Sequence, residues 1–437
     1  MVSRAPAIGP SLSPPLGGVP GLAEVRAAQL NLAGVALNTP LWEAPAFPGL
    51  PPGRLWLKLE TLQRTGSFKI RGASNRMAYL SQEEARRGVI AASAGNHAQG
   101  VAYAARARGI PATIVMPKGA SPSKVLATEA LGARVVLAGA DYQEAWEACQ
   151  SLREQEGLTL VHPFDDAAVI AGQGTLGLEI LDALPTVGTV LAGVGGGGLL
   201  AGLAVAIHAL RPEVRLVGVQ AAAAGSLRAS LLAGRILEGP APSTFADGIA
   251  TRRVGDLTFR ILKEHSVRAV EVSEAELARA IFLLLERTHL LTEGAGAAPL
   301  AALLAHPELL EENGPAVAVI SGGNLDAFLL DRILWSGLAA DGRILHLRTP
   351  LKDRPGALAD LLSTVAGTGA NVYTIRHDRE SPTLPPGQAS VELELEVRDP
   401  EQGERVLAVL KAAGYGVEPT LAPPLRGTGR PSAGERT

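Results

Sequence analysis

Between Val89 and Ser321 one pattern recurs: a short apolar run, a turn, then a longer amphipathic stretch. The apolar runs are VIAAS (89–93), ATIVM (112–116), RVVLA (134–138), TVLAGV (189–194), RLVGVQ (215–220), RAVEV (268–272) and VAVIS (317–321). Residues 95–109, 122–131, 141–156 and 224–233, the stretch from the glycine run to Leu210, and the one ending at His289 read as helices. Another helix is expected after 321–324. Short uninterrupted apolar runs are buried strands, and their alternation with helices predicts a mainly parallel sheet covered on both faces. Ahead of this region, 22–33 predicts a helix that Gly34 stops, and Asn38-Thr39-Pro40 rules out a longer one.

The last hundred residues follow another rhythm. RILHLRT (343–349) predicts a strand, 355–369 a helix, 370–378 a strand, 400–413 a helix and 415–421 a final strand. QASVELELEV (388–397) alternates cleanly. The order β-α-β-β-α-β is that of a ferredoxin-like module. The expected organisation is a large α/β domain over 23–338 and a small one over 342–422. Pro/Gly-rich tails, 1–22 and 423–437, flank them. A Pro-rich segment, Ser381 to Gly387, lengthens a hairpin in the small domain.

Composition narrows the function. The chain has 437 residues, 47% of them hydrophobic and 19% charged, with a net charge of -3. It lacks the basic excess of a nucleic-acid binder. Its single cysteine, Cys149, rules out an internal disulfide and, within EAWEACQSL, reads as a small buried hydrophobe. Apolar stretches are interrupted too soon to span a membrane, and residues 1–22 carry no continuous apolar segment of a secretory signal. A cytoplasmic protein is the expectation.

Four features carry candidate chemistry. Gly195, Gly196, Gly197 and Gly198 follow an apolar strand and precede an apolar helix. Bare amides at a helix N-terminus can wrap a phosphate, and four glycines cost much backbone entropy if they only make a turn. No acidic residue ends the next strand, where Gln220 stands, and no Lys-Ser/Thr follows, so neither dinucleotide nor Walker patterns apply. Lys69, between Phe68 and Ile70 at the expected start of a helix, suits a Schiff base if its pKa is depressed. It reads equally as a surface lysine, and Arg71 as a surface helix residue. Ser93-Ala94-Gly95-Asn96-His97 closes a strand and opens a helix, which fits carboxylate binding or plain capping by Ser93 or Asn96. His97 there reads as a packing residue. Ser321-Gly322-Gly323-Asn324 repeats the device after a later strand. Sheet ligands lie at carboxyl ends of strands, so these turns converge on one cleft. The histidines show no metal-ligand spacing, and the adjacent Asp165 and Asp166 read as a solvated loop. A phosphate cradle, an activated lysine and no metal cluster point to pyridoxal 5'-phosphate.

The motifs KLE (58–60), LQRTGSFKIRGA (62–73), ASAGNHAQG (92–100), VGGGG (194–198), FADGIA (245–250), EGAGA (293–297) and SGGN (321–324), in this order, resemble the threonine ammonia-lyase family. The resemblance runs from about Thr39 to Leu334. It implies an α/β fold of the tryptophan-synthase-β-like kind (fold type II), with two α/β subdomains. The small domain resembles an ACT module through Asp353-Arg354-Pro355-Gly356, Gly369-Ala370-Asn371 and HDR at 377–379. By this resemblance Lys69 carries the cofactor and takes the Cα proton, and Asn96 bonds its ring hydroxyl oxygen. Gly195 to Gly198 hold its phosphate, and Ser321 faces its pyridine nitrogen. Ser93, Gly95, Asn96 and His97 clamp the substrate carboxylate. The implied substrates are L-threonine and, more weakly, L-serine. A serine dehydratase, a β-replacement synthase and a non-catalytic amino-acid-binding regulator are the alternatives. Ala94, where racemising relatives have serine, argues against racemisation, and Gln220 and Ser226 argue against their divalent-metal site. The ACT resemblance implies self-association, as a homodimer or homotetramer, and a branched-chain amino-acid effector near Gly356, Leu358 and Asn371.

Overall fold

The computed structural model describes residues 18–239, 241–310, 314–380 and 384–419. The expected N-terminal tail as far as residue 17, the whole expected C-terminal tail and residues 381–383 of the Pro-rich segment lie outside the described residues. The chain divides into two compact units, one ending at Leu325 and one beginning at Asp326. The helix after Asn324 therefore groups with the second unit, whereas the sequence pattern leaves it with the first.

In the first unit the strands are β1 (Leu41–Glu43), β2 (Leu55–Leu59), β3 (Val89–Ala92), β4 (Ala112–Met116), β5 (Arg134–Leu137), β6 (Thr159–Leu160), β7 (Thr189–Gly193), β8 (Arg215–Ala221), β9 (Arg268–Val272) and β10 (Ala316–Ile320). Its helices are α1 (Leu22–Asn31), α2 (Lys69–Ala78), α3 (Gln82–Arg87), α4 (Asn96–Arg108), α5 (Pro122–Ala130), α6 (Tyr142–Glu156), α7 (Ala167–Ala183), α8 (Gly198–His208), α9 (Leu227–Ala233), α10 (Asp256–Glu264), α11 (Glu274–Thr288) and α12 (Gly294–Ala305). These strands build two sheets, where the periodicity predicts one and the resemblance implies two α/β subdomains. The larger runs β1-β2-β10-β7-β8-β9, parallel except for β1, and the smaller runs β5-β4-β3-β6, all parallel. Strands of both sheets are the same short apolar runs, and periodicity carries no information about which of them pair.

Helix α7 joins the two sheets and is apolar on nearly every side. It meets α2 and α8 backbone to backbone. A Cβ on Gly172 would stand 2.7 Å from the Arg71 carbonyl oxygen, and one on Gly202 2.5 Å from that of Ile170. A buried ion network locks α2 to its neighbours. The Arg71 guanidinium binds both carboxylate oxygens of Glu60 at 2.8 Å and Glu179 Oε1 at 2.6 Å, while Lys58 Nζ binds Glu179 Oε2 at 2.6 Å. Arg71 is 1% exposed and not the surface residue its local sequence allows. Burial pushes the Glu60 carboxyl up, but Arg71 outweighs it and holds the group below its ordinary range.

The second unit contains α13 (Ala327–Ala340), β11 (Ile344–Lys352), α14 (Ala357–Gly367), β12 (Asn371–Asp378), β13 (Gln388–Glu396), α15 (Pro400–Ala412) and β14 (Glu418–Pro419). Its antiparallel sheet runs β12-β13-β11-β14, the ferredoxin-like order expected. The alternation of β13 turns Ala389, Val391, Leu393 and Leu395 into the core. Of the expected last strand, 415–421, the described residues form only Glu418–Pro419, with 415–417 outside the ladder and 420–421 outside the described residues.

Candidate active site

Strands β7 and β10 are neighbours, but the chain leaves them in opposite directions: β8 flanks β7 on one side and β2 flanks β10 on the other. In the small sheet β3 lies between β4 and β6. Such switch points open a crevice beyond the carboxyl ends of the strands. The three glycine-containing turns follow β3, β7 and β10.

Lys69 is the first residue of α2 and half-buried. Its Nζ donates to the Pro163 carbonyl oxygen at 2.9 Å and stands 5.1 Å from the Phe68 ring centre. Burial lowers its pKa to about 8, with Glu293 pulling the other way. A Cβ on Gly100 would sit 3.1 Å from the Lys69 carbonyl carbon, so α4 presses directly on this turn.

The next residue after Pro163 covers the glycine loop. A Cβ on Gly196 would land 2.3 Å from the Phe164 ring, and one on Gly198 2.9 Å from Phe164 Cβ. Gly197 has φ +95°, which side chains disfavour. The Gly196 carbonyl accepts from Thr258 Oγ1 at 2.7 Å and from the Gly255 amide at 3.1 Å. Lys69 and the glycine loop thus meet on Pro163–Phe164. Asp165 caps α10 by accepting from the amides of Asp256, Leu257 and Thr258, and Asp166 caps α7. The two aspartates are half-buried caps, not the solvated loop expected.

Ser321 is 3% exposed, and its carbonyl accepts from the Phe68 amide at 3.1 Å. Gly322 bridges to Ser67. The turn after β10 therefore lies against the start of α2. Asn96 opens α4, and its Nδ2 donates to Glu293 Oε1 at 2.5 Å, while Asn324 Nδ2 donates to its Oδ1 at 2.7 Å. Burial pushes the Glu293 carboxyl up to about 7, against a lowering by the Asn96 hydrogen bond. In the β3 turn Ser93 Oγ accepts from the Gly95 amide at 3.2 Å, so that amide is already used locally. The His97 ring is buried, with Nε2 2.8 Å from the Val161 carbonyl. Burial lowers its pKa to about 3, so it packs as a neutral ring and has only its backbone to give a substrate. The first amides of α4 have no acceptor within the helix.

Glu293, Asn324, Pro163 and Phe164 were not assigned roles by the sequence reading. The first two do stand inside EGAGA and SGGN. Gln220 is occupied internally: its Oε1 accepts from the amides of Ser226 and Leu227 and its Nε2 donates to the Val194 carbonyl. No cluster of three or more histidine, cysteine or acidic side chains fit for a metal occurs among the described residues. Cys149 is buried and burial raises its pKa to about 11, as expected of a packing residue.

In the second unit Gly356 caps α14 with φ +86°, and a Cβ there would stand 4.0 Å from Arg354 Nη1. Leu358 packs on the core, and Asn371 Nδ2 donates to Glu396 Oε2 at 3.3 Å. One chain does not bring these residues together. Asn371 and Ile344 both pair with Glu396, whereas Gly356 follows Lys352 at the far end of β11.

The first-unit site suits a phosphate-bearing aldehyde. It offers an amine easily deprotonated, a glycine loop packed too closely on Phe164 and Thr258 to admit a Cβ, and two buried hydroxyls without a partner. These are Thr251 Oγ1 beside Gly195 and Ser67 Oγ two residues before Lys69. Residues 33–322 match the family model described as pyridoxal-phosphate dependent enzyme. The chain is 49% identical over 397 residues to the L-threonine ammonia-lyase of Thermotoga maritima, covering 91% of this chain and 98% of that one, so the match runs into the second unit. It is similar to the solved T.th. threonine deaminase, with 45% identity, TM-score 0.66, and coverage of 70% of this chain and 99% of that one. It is also similar to maize serine racemase, with 32% identity, TM-score 0.69, and coverage of 74% and 99%. No helix among the described residues is long and apolar enough to cross a membrane. Lysine, cradle and family match agree, and the chain belongs to the pyridoxal-phosphate dependent enzymes.

Proposed function

We propose that this chain is a threonine ammonia-lyase, converting L-threonine to 2-oxobutanoate and ammonia, and L-serine more slowly to pyruvate and ammonia. The observation that carries the reading is the Lys69 amine, depressed in pKa and bonded to the segment that covers the glycine loop. Lys69 would hold the cofactor through its amine, and when bound the cofactor supplies the electron sink for charge at the substrate's α-carbon. Gly195 to Gly198 would present amides to its phosphate, Asn96 to its ring oxygen and Ser321 to its ring nitrogen. The free first-turn amides of α4 would receive the substrate carboxylate. Lys69, neutral above about pH 8, takes the α-proton. Loss of the β-hydroxyl as water and later hydrolysis of the carbon–nitrogen bond leave the net water count unchanged.

The second unit is proposed as an ACT-type amino-acid sensor. Its ferredoxin-like order and the left-handed Gly356 cap of α14 support this. Because Gly356 and Asn371 stand at opposite ends of one sheet, a ligand touching both, with Leu358, would lie between two copies of the chain. A homodimer or homotetramer is proposed, with a branched-chain amino acid as effector.

The test is the visible spectrum of the purified chain during addition of L-threonine, with 2-oxobutanoate assayed in the same sample. Absorbance near about 410–420 nm, changed by threonine as keto acid appears, is the expected result. Absorbance without threonine turnover would move the assignment to a β-replacement enzyme. No absorbance after adding pyridoxal phosphate would remove the role of Lys69 and favour the regulator.

A further inference from the structure

Asn96 is the candidate contact to the cofactor ring, and its amide is held at both ends. Asn324 Nδ2 donates to the Thr65 carbonyl oxygen at 3.0 Å and to Asn96 Oδ1 at 2.7 Å. Asn96 Nδ2 donates to Glu293 Oε1 at 2.5 Å. A carbonyl can only accept, so the nitrogen of Asn324 must face Thr65. Both hydrogens of that nitrogen are then used, and Asn96 must turn its oxygen toward Asn324. Its nitrogen thereby faces Glu293 Oε1, which accepts from it whether the carboxyl is ionised or carries its proton on Oε2. The orientation of Asn96 follows from the two end groups alone.

The fold is shaped to hold this relay. Glu293 is the cap residue of α12, and its amide donates to the Gly322 carbonyl at 3.1 Å. A Cβ on Gly322 would stand 2.5 Å from Glu293 Oε1 and 3.2 Å from Asn96 Nδ2, so only glycine leaves room for the pair. One on Gly66 would stand 2.8 Å from Asn324 Oδ1. Four segments thus converge on one side-chain amide: the Thr65 turn, the start of α4, the start of α12 and the turn after β10.

We propose that Asn324 and Glu293 are positioning residues that orient the Asn96 amide, leaving one Nδ2 hydrogen as the donor offered to the cofactor. The inference rests on the reading that Asn96 meets the cofactor ring. It separates the two residues from any direct part in the chemistry: they act through Asn96.

The experiment measures cofactor dissociation and the visible spectrum for the full-length chain and its variants Asn324→Asp, Glu293→Leu and Glu293→Gln. The melting temperature of each cofactor-free chain is read alongside. Asn324→Asp can no longer donate to Thr65 or Asn96, and Glu293→Leu removes the acceptor. Each is expected to weaken cofactor binding about tenfold or more and to change the band shape, the loss of one well-made hydrogen bond. Glu293→Gln keeps an acceptor oxygen and is expected to stay within about twofold of the parent, since its net bond is retained. Melting temperature does not follow this split if the role is positioning. The proposal is overturned if Asn324→Asp and Glu293→Leu bind and absorb like the parent. It is equally overturned if Glu293→Gln melts like the parent yet binds as poorly as Glu293→Leu. A parent chain with neither cofactor band nor keto-acid product would instead sink the reading beneath it, and this inference with it.

Discussion

Lys69 and Glu293 are two groups whose environments bring their pKa values toward each other, to about 8 and about 7. For Lys69 burial disfavours the ammonium, so the neutral amine is already abundant just above neutrality. Attachment of pyridoxal phosphate to the stripped chain needs that neutral amine. Its rate, followed by visible absorbance, is expected to rise through about pH 8 and then level. A rise continuing toward pH 10.5, the ordinary lysine value, would contradict it. For Glu293 the folded pKa lies above the unfolded one. Its contribution to stability is therefore fully present below pH 4.5 and is lost as pH rises through about 7. Glu293→Gln removes the titration. Its melting temperature relative to the parent is expected to climb between pH 4.5 and 7 and stay level above; a constant difference would refute the buried carboxyl. Lys69, the glycine run and Ser321 were legible as motifs. The bonds from Asn96 to Glu293 and Asn324 were not, because they join residues 197 and 228 positions apart.

At the scale of elements, the strands of the β-α repeats were legible because short apolar runs are what a sheet covered on both faces requires. Helix α7 was not, because AAVIAGQGTLGLEILDA has no polar face to set a period. Its glycines are where α2 and α8 approach. Gly202 gives this a measurable sign. Alanine for glycine inside a helix ordinarily gains about 1 kcal/mol. At Gly202 the new Cβ meets the Ile170 carbonyl oxygen at 2.5 Å and Gly174 N at 2.6 Å. Gly202→Ala is expected to lose about 1–3 kcal/mol by overpacking. It should also weaken cofactor binding, since α8 carries the glycine loop at its start. Gly367→Ala, on α14 with nothing within 4 Å, is the control and is expected to be neutral or stabilising. Denaturant midpoints of the two variants check the contrast, and a Gly202→Ala chain as stable as the parent would refute close helix contact.

Across the whole molecule the family match ends at residue 322 and the first compact unit at Leu325. The site residues from Lys69 to Asn324 all fall inside that unit. The second unit has its own core, with Leu361, Val391, Leu393 and Val406 fully or almost fully buried. Its fold was legible because β13 alternates cleanly, whereas the break between units was not: α13 is an ordinary helix by pattern, and only its contacts assign it. If the second unit is a sensor, chemistry and response separate along this break. A chain cut after Leu325 is expected to keep 2-oxobutanoate formation and lose any change caused by isoleucine or valine, while the intact chain responds to one of them. Linkage adds a second requirement: threonine must change the affinity for the effector by the same factor as the effector changes that for threonine. Calorimetric titration of the intact chain with and without a slowly turned-over threonine analogue measures that factor. A cut chain that still responds, or an intact chain that binds neither branched-chain amino acid, would remove the sensor from the second unit. Loss of turnover in the cut chain would instead make the second unit necessary to catalysis.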